Sequence, residues 1–318
     1  MRVLVTGAAG FIGSNLSEAL VRAGHQVLGV DNFDPYYPRA VKERNLRGAM
    51  SEKAFQFIEL DLRDRAAVSA LLEEPVDVVV HLAGRGGVRR SLEDPHAYQE
   101  MNYAATLNLL EGMRGNGRSR LVFASTSSVY GNRSSAPFRE DDRTDWPLSP
   151  YAATKKACEV LCHTYHHVYG FHVYALRFFT VYGPRQRPDM AIHKFVKAIL
   201  EGRPIERYGD GASERDYTYV DDITDGVARA VERVRGYEII NIGGSKTTSL
   251  ADMISAIETQ LGRKAQIIER PMPPGDVPLT SADVEKAGRL LGFSPAVRLE
   301  EGLRRFIKWY QEENSACE

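Results

Sequence analysis

The sequence has few cysteines and almost no net charge. Three Cys occur in 318 residues, and Cys158 and Cys162 are spaced as neighbours on one helix rather than as a Cys-x-x-Cys pair. We therefore expect buried free thiols and a cytoplasmic protein. The 41 Lys and Arg nearly balance the 42 Asp and Glu, so no strongly basic surface exists for nucleic acid. A small-molecule partner is expected instead.

Long apolar runs are also missing from the chain. No stretch approaches the roughly 18 consecutive apolar residues of a membrane span, so no membrane partner is expected. Strand-like sequence starts at residue 2, which leaves no room for a signal peptide. With 43% hydrophobic residues the chain can bury one large core or two modest ones.

The first thirty residues have the pattern of a dinucleotide-binding unit. Gly7, Gly10 and Gly13 lie between an aliphatic run typical of a buried parallel strand and a stretch with helical spacing. Such glycines permit a tight reversal and a close approach to a pyrophosphate, which the helix N-terminus also binds. A second strand ends at Asp31, whose carboxylate suits the adenosine ribose hydroxyls and would repel a 2′-phosphate. NAD is therefore favoured over NADP, and no metal is expected.

Further strands alternate with helical stretches along the first half of the chain. We predict strands at residues 57–62, 77–84 and 120–125, and helices at 14–23, 64–73, 95–115 and 151–169. This alternation is typical of an α/β fold with a doubly wound (Rossmann) parallel sheet. Asp61 could reach the adenine or cap the next helix, and His81 is expected to be a hydrogen-bonded core histidine.

Tyr151 and Lys155 lie four residues apart on a predicted helix. One helical turn puts both on the same face, where the ammonium can stabilise a phenolate and make it a usable base. Residues 125–131 place a cluster of hydroxyls at the carboxyl end of the fifth strand, the edge where open parallel sheets bind ligands. These features indicate oxidation and reduction at an alcohol carbon.

In this order, the motifs resemble those of the extended short-chain dehydrogenase/reductase family, and within it the sugar-nucleotide epimerases. The resemblance covers nearly the whole length. It rests on Thr6 to Gly13, Asp31-Asn32, His81 to Gly84, Asn102 to Thr106, Ser125 to Gly131, Tyr151 to Lys155, Leu176 to Gly183 and Arg215 to Asp222.

The resemblance implies a role for each matching residue. Tyr151 is the general base, Lys155 binds the nicotinamide ribose and lowers the phenol pKa together with the cofactor's positive ring, and Thr126 binds the substrate 4-hydroxyl. The implied NAD-binding residues are Gly7, Gly10, Phe11, Ile12, Gly13, Asp31, Asn32, Asp61, Leu62, Leu82, Ala83, Gly84, Asn102, Ser125, Tyr151, Lys155 and Phe178. The implied cycle oxidises carbon 4, rotates the 4-keto sugar and returns the hydride to its other face.

The resemblance also divides the chain. It assigns residues 1–178 to an NAD-binding Rossmann domain and residues 179–318 to a smaller α/β domain for the nucleotide sugar, with interleaved segments. Tyr208 resembles the aromatic residue on the uracil, Arg215 the arginine on the diphosphate, and Asp276 the acid on the uridine ribose. The alternatives are a core-filling Tyr208 and a surface ion pair between Arg215 and Asp216.

The hydroxyl cluster separates the reactions of the family. Dehydratases resemble Thr-Asp-Glu at residues 126–128 and decarboxylases resemble Thr-Ser-Glu, whereas this chain has Thr126-Ser127-Ser128. Because no carboxylate stands beside the base, an epimerase is favoured. Residues 178–191 resemble the enzymes acting on UDP-glucuronate, with Thr180 where UDP-glucose epimerases usually have Asn. The substrate carboxylate would then bind Ser127, Ser128, Thr180 and Arg187, or less favourably Arg185.

Several alternatives stay open. The substrate could be UDP-glucose or UDP-N-acetylglucosamine, the reaction a decarboxylation or dehydration, and the protein a simple oxidoreductase or a non-catalytic NAD-binding regulator. Helices at 95–113 and 151–169 carry apolar residues on more than one face and indicate a homodimer. Arg85 and Arg90 have no assigned role.

Overall fold

Seven parallel strands form the central sheet of the computed structural model, which describes residues 1–315. These strands are β1 (Arg2–Thr6), β2 (Gln26–Asp31), β3 (Phe55–Glu59), β4 (Val78–His81), β5 (Arg120–Thr126), β6 (His172–Phe178) and β10 (Tyr237–Ile242). Their order across the sheet is β10-β6-β5-β4-β1-β2-β3, so the strand order reverses next to β1. Ligands of such sheets bind outside the carboxyl ends of the strands at that reversal.

Two small sheets and twelve α-helices make up most of the remainder of residues 1–315. The shorter strands are β7 (Thr180–Tyr182), β8 (Ile205–Tyr208), β9 (Glu214–Tyr219), β11 (Thr247–Ser249) and β12 (Ile267–Arg270), ordered β11-β9-β7 and β12-β8. The helices are α1 (Phe11–Arg22), α2 (Arg39–Met50), α3 (Arg65–Leu71), α4 (Val88–Glu93), α5 (Pro95–Tyr98), α6 (Ala105–Gly115), α7 (Pro150–Tyr169), α8 (Ala191–Leu200), α9 (Val220–Arg233), α10 (Leu250–Leu261), α11 (Glu285–Leu291) and α12 (Leu299–Ser315). No helix within residues 1–315 is both long and apolar enough to cross a membrane.

Both faces of the sheet are covered, as the aliphatic strands predict. Val3 and Val5 of β1 pack in one apolar cluster with residues of α1 and α9, whereas Leu4 packs in a second cluster with α3, α6 and α7. Successive side chains of a strand point to opposite faces, so a strand buried on both sides must be apolar throughout. The predicted doubly wound α/β fold is confirmed.

The second half of the chain contributes to the large sheet. Strand β10 pairs with β6 from Tyr237 opposite Val173 to Ile242 opposite Phe178. Helix α9 packs against α1 on the face of the large sheet that Val3 and Val5 occupy. The two-domain division after residue 178 stays a prediction, and the segment 220–242 lies with the first half of the chain in space.

Three predicted elements differ from the structure. The fourth strand, predicted over residues 77–84, spans only Val78–His81. Residues 95–115 form α5, a π-helical segment Gln99–Ala104, and α6 rather than one continuous helix. Within this segment the Asn102 side chain bonds both the nitrogen and the oxygen of Arg85, which anchors the helix to the loop after β4. The third strand ends at Glu59, so Asp61 lies in the following loop, and Asp64 rather than Asp61 caps α3.

His81 is a buried core histidine, as predicted. Its Nδ1 lies 2.7 Å from the Thr6 hydroxyl and its Nε2 3.0 Å from the Thr106 hydroxyl. Because Thr106 donates its only proton to the Asn102 carbonyl, Nε2 must carry the imidazole proton and Nδ1 accepts from Thr6. The neutral ring thus links β1, β4 and α6 directly beneath the cavity described below.

Acid should destabilise the protein through His81. Burial and the Lys155 charge lower the pKa of His81 from 6.5 to about 3. Below pH 6.5 the unfolded chain therefore binds a proton at His81 that the folded protein does not bind. Stability is then lost as the pH falls. Between pH 6.5 and about pH 5, the free energy of unfolding of the native protein should fall by about 2 kcal/mol more than that of His81→Asn. Urea unfolding at both pH values measures this, and equal pH dependence would contradict it.

Candidate active site

A cavity of about 1290 Å³ opens at the carboxyl ends of the central strands. It gathers nearly every residue that the sequence analysis selected. The predicted residues that line it are Gly7, Gly10, Phe11, Ile12, Gly13, Asp31, Asn32, Asp61, Leu62, Leu82, Ala83, Gly84, Ser125, Thr126, Ser127, Ser128, Tyr151, Lys155, Phe178, Thr180, Arg187, Tyr208, Arg215 and Asp276. Asn102 and Arg185 do not line it.

The glycine turn is required by close backbone packing. Gly7 has φ +72°, and a Cβ on it would lie 2.8 Å from the Ala83 nitrogen. A Cβ on Gly13 would lie 2.1 Å from the Gly7 oxygen, so larger residues are excluded at both positions. Helix α1 begins here with no side-chain cap, which leaves its first N–H groups facing the cavity.

Asp31 is buried at the end of β2, and both of its oxygens have partners. Oδ1 accepts from the Phe33 nitrogen at 2.8 Å and Oδ2 from the Ala9 nitrogen at 3.2 Å. Lys42, which the sequence analysis did not select, lies 3.4 Å from Oδ1 and is buried with it. Asn32 donates to Asp61 at 3.0 Å. The charge that would repel a 2′-phosphate is therefore partly offset by Lys42.

This end of the cavity fits a dinucleotide. The uncapped α1 terminus suits a pyrophosphate, Asp31 suits the hydroxyls of an adenosine ribose, and the Asn32–Asp61 pair lies beside them. The Arg63 guanidinium, which donates to Asp61 at 2.8 Å, lowers the pKa of that carboxyl to about 2. Asp61 is therefore an anion that can accept hydrogen bonds from a ligand at neutral pH.

Tyr151 and Lys155 lie in the first two turns of α7. The helix starts at Pro150 because the Ser149 hydroxyl caps it, accepting from the Ala152 nitrogen at 3.2 Å. Lys155 Nζ donates to the Ala124 carbonyl at 2.8 Å. Burial raises the pKa of Tyr151, while the Thr126 hydroxyl and the Arg187 charge lower it. Burial is the largest of these effects, so the pKa of Tyr151 is raised, and not lowered by Lys155 as the resemblance implied. Lowering it needs additional positive charge, such as an oxidised nicotinamide.

The hydroxyl cluster follows β5 directly. Thr126 Oγ1 donates to the Ser128 hydroxyl at 3.2 Å and accepts from the Ser128 nitrogen at the same distance, which forms a 3₁₀ turn over Ser127–Tyr130. A side pocket of about 110 Å³ lies beside Ser127, Ser128 and Thr180. The cluster can therefore donate several neutral hydrogen bonds to an oxygen-rich group near Tyr151.

The Arg187 guanidinium lines the cavity near Tyr151, and its charge lowers the pKa of that phenol against the larger effect of burial. It makes a bidentate pair with Asp189 at 2.9 and 3.0 Å. Arg185 has φ +67° and donates to Glu18 of α1 at 2.6 Å, so the alternative site role for it does not fit its position. One residue separates the two arginines, and because the backbone turns between them, only Arg187 lines the cavity.

Tyr208, Arg215 and Asp276 line the cavity together, and Arg215 and Asp276 also line the side pocket beside the hydroxyl cluster. Arg89, on α4, lies over the Tyr208 ring at 4.0 Å and pairs with Asp276 at 2.8 Å. Arg215 donates to the Glu214 carbonyl and makes no ion pair with any carboxylate of residues 1–315, so it is not paired with Asp216. Burial lowers its pKa. This arrangement joins an aromatic face to two cations and one acid, which suits a nucleotide diphosphate.

Several residues at the cavity were not selected from the sequence. Tyr36 and Tyr37 follow β2, Asp189 pairs with Arg187, and Lys42 pairs with Asp31. The two adjacent tyrosines soon after Asp31-Asn32 are evident in the sequence, but the residues that they contact come from distant loops. Arg85 pairs with Asp34 at 2.9 Å, and Arg90 donates to the Tyr36 carbonyl at 2.8 Å, so both help to shape the loop after β2.

Comparison with known proteins finds relatives along nearly the whole chain. The family model described as the NAD dependent epimerase/dehydratase family matches residues 3–243. A UDP-glucuronate 4-epimerase from Thermodesulfobacterium geofontis is 45% identical over 311 residues, covering 97% of this chain and 96% of the relative. The crystal structure of UDP-glucuronic acid 4-epimerase from Bacillus cereus in complex with UDP-glucuronic acid and NAD is 41% identical, with a TM-score of 0.93 and coverage of 98% and 100%. A dTDP-glucose 4,6-dehydratase from Streptomyces venezuelae is 32% identical with the same TM-score, covering 99% of this chain and 98% of that one.

Proposed function

Since this chain belongs to the NAD dependent epimerase/dehydratase family, we propose that it is an NAD-dependent 4-epimerase that interconverts UDP-glucuronate and UDP-galacturonate. The observation that carries the substrate assignment is the pairing of a neutral hydroxyl cluster, Thr126 to Ser128, with the half-buried Arg187 guanidinium beside Tyr151. A sugar carboxylate needs these partners, and a neutral hexose does not.

Tyr151, Thr126 and Lys155 each have one task in the proposed cycle. Tyr151 takes the proton of the 4-hydroxyl, and Thr126 holds that oxygen by a hydrogen bond during the transfer. Lys155 orients the cofactor ribose, and NAD, when bound, accepts the hydride of carbon 4 and returns it to the opposite face of the ketone. Tyr151 then gives its proton back, so the reaction has no net redox change and the cofactor is retained.

The hydroxyl cluster argues against the other reactions of the family. A 4,6-dehydration needs an acid and a base over carbons 5 and 6, and positions 127 and 128 are both serines. Asp189 is a carboxylate in the loop after β7, and both of its oxygens accept hydrogen bonds from Arg187. The reaction therefore stops at reversible hydride exchange.

The proposal is tested by incubating the purified protein with UDP-glucuronate, UDP-glucose and UDP-N-acetylglucosamine and resolving the 4-epimers by chromatography. We expect UDP-galacturonate from UDP-glucuronate with no added NAD, because the enzyme retains its cofactor. That NAD should be recovered in the supernatant of the denatured protein. Faster epimerisation of either neutral sugar would overturn the substrate assignment, and a need for stoichiometric NAD would overturn the epimerase mechanism.

Arg187→Ala should make the enzyme release carbon dioxide. The 4-keto intermediate of a glucuronate is a β-keto acid, which loses its carboxylate when the breaking bond aligns with the carbonyl π system. A hydrogen bond from the Nη1 of Arg187 that Asp189 leaves free, together with those of the hydroxyl cluster, can hold the carboxylate out of that alignment. We expect a UDP-pentose beside the epimer and a rise in KM of about tenfold or more. An unchanged product ratio in both Arg187→Ala and Thr126→Ala would contradict this role.

We also propose that the enzyme works in the cytoplasm as a homodimer. Cys158 and Cys162 are both buried and free, in keeping with a reducing compartment. Helix α7 leaves Val160, Val168 and Tyr169 about half exposed, although the helix also carries Tyr151 and Lys155. Pairing of this face across a two-fold axis would bury those side chains.

A further inference from the structure

The carbonyl oxygen of Gly86 is a meeting point for three donors from separate elements. The Tyr36 hydroxyl donates to it at 2.6 Å, the Tyr98 hydroxyl at 3.1 Å, and Arg187 Nη2 lies 3.5 Å away. A carbonyl oxygen has two lone pairs, so the two phenols satisfy it and Arg187 is the weakest partner. The loops after β2, β4 and β7 are thereby joined at one atom.

Tyr36 also faces Arg187 and its carboxylate partner. The Arg187 guanidinium carbon lies 5.1 Å from the centre of the Tyr36 ring, and the Tyr36 hydroxyl is 3.4 Å from Asp189 Oδ2. Arg90 lies 4.3 Å from the same ring. An aromatic face attracts guanidinium groups, and the attraction strengthens where water is excluded. Tyr36 therefore contacts both halves of the Arg187–Asp189 pair.

One nitrogen of Arg187 is left for a ligand. Nε and Nη2 bind Asp189, while Nη1 makes no hydrogen bond to any of residues 1–315. A Cβ placed on Gly86 would lie 2.8 Å from Nη1 and 3.9 Å from the Tyr151 hydroxyl. Nη1 is thus on the side of Gly86 that faces the base, and the missing side chain keeps that space open.

We propose that Tyr36 is a positioning residue that aims Arg187 Nη1 at the carbon 6 carboxylate of the substrate. This rests on the proposed function and names a residue outside the family motifs in the sequence. The phenol ring sets the plane of the guanidinium, and the hydroxyl ties that plane to Gly86 beside Tyr151. Tyr36 acts through Arg187, because its hydroxyl donates to Gly86 and its ring faces the guanidinium.

A misaimed Arg187 has a defined chemical consequence. In the 4-keto intermediate the bond between carbons 5 and 6 can break, which releases carbon dioxide and leaves its electron pair on carbon 5 as an enolate. Carbon 5 takes a proton from water, and the hydride already held by the enzyme returns to carbon 4. The product is a UDP-pentose, and the cofactor is again oxidised. The UDP-pentose fraction therefore reports how well the carboxylate is held.

The experiment compares four proteins: the native enzyme, Tyr36→Phe, Tyr36→Leu and the control Tyr165→Phe. Tyr165, on α7, does not line the cavity, and its hydroxyl donates to Glu111. For each protein we would measure kcat and KM with UDP-glucuronate, the UDP-pentose fraction, and the Kd of UDP, which lacks the sugar. Tyr36→Phe keeps the ring and removes only the hydroxyl, so it stays informative if Tyr36→Leu folds poorly.

We expect KM for UDP-glucuronate to rise about threefold in Tyr36→Phe and about tenfold in Tyr36→Leu, with UDP-pentose detectable in the latter. The Kd of UDP should stay within about twofold, and Tyr165→Phe should match the native enzyme. Unchanged KM and product ratio in both Tyr36 variants would overturn the proposal, as would a parallel loss of UDP affinity or the same defects in Tyr165→Phe. A native enzyme that does not epimerise UDP-glucuronate would instead overturn the proposed function, and this inference with it.

Discussion

Tyr151→Phe is expected to lower kcat for epimerisation by about a thousandfold while the protein still retains NAD. The substitution removes one oxygen and keeps the ring, which packs edge-on against Tyr98 with centroids 6.1 Å apart. Without the phenol, no other base of the described chain lies beside the Thr126 hydroxyl where the 4-hydroxyl would bind. Single-turnover kinetics with UDP-glucuronate, and the absorbance of released cofactor, measure the two halves of this prediction.

Tyr165→Phe is the matched control for this variant. Tyr165 lies on the same helix, but its hydroxyl donates to Glu111 on the face away from the cavity. The control should keep the native kcat even if it loses some stability. If Tyr151→Phe interconverts the epimers as fast as the control does, the phenol is not the base and the proposed cycle fails.

Glu159→Leu should destabilise the fold by about 3–5 kcal/mol, because it leaves a buried guanidinium without its anion. Arg177 and Glu159 are both almost fully buried and form a bidentate pair with two 2.9 Å hydrogen bonds. Glu159 also accepts from the Ser125 hydroxyl at 2.6 Å. The pair connects α7 to β5 and β6, so it fixes the helix that carries Tyr151 and Lys155 against the sheet.

The double variant Glu159→Leu, Arg177→Met distinguishes an unpaired charge from simple loss of packing. Removing both ions abolishes the desolvation penalty, so the double variant should be more stable than Glu159→Leu alone. Glu301→Leu, in an exposed pair with Arg304, should change stability by about 0.5 kcal/mol or less. Urea midpoints measure all three variants. A double variant that is no more stable than Glu159→Leu would contradict this account.

Much of the fold could be predicted because its signals are local. The aliphatic strands, the glycine turn after β1 and the Ser149-Pro150 start of α7 are all encoded within a few neighbouring residues. The predicted helix at 95–115 was wrong in one respect, since residues 99–104 are π-helical. There the Asn102 side chain binds Arg85, a residue seventeen positions earlier in the chain. No periodicity in the sequence reports such a contact.

The same distinction separates the predicted site residues from the missed ones. Tyr151 and Lys155 share a helix face, so their spacing was sufficient to pair them. Arg185 and Arg187 differ by two positions in a loop, and only the backbone turn shows that the first binds Glu18 and the second faces the cavity. Tyr36 meets Arg187 across 151 residues, by way of the Gly86 carbonyl.

The amino-acid sequence by itself determined the fold class, the family, the cofactor and the phenol–ammonium pair, because each depends on residue types at short and regular spacing. Only the tertiary structure decided which arginine reaches the sugar end, what holds it there, and that Lys42 shares the charge of Asp31. Those decisions depend on loops that meet at the carboxyl edge of the sheet. Loop residues obey no periodic pattern, and their contacts are set by how the strands they follow are ordered in space.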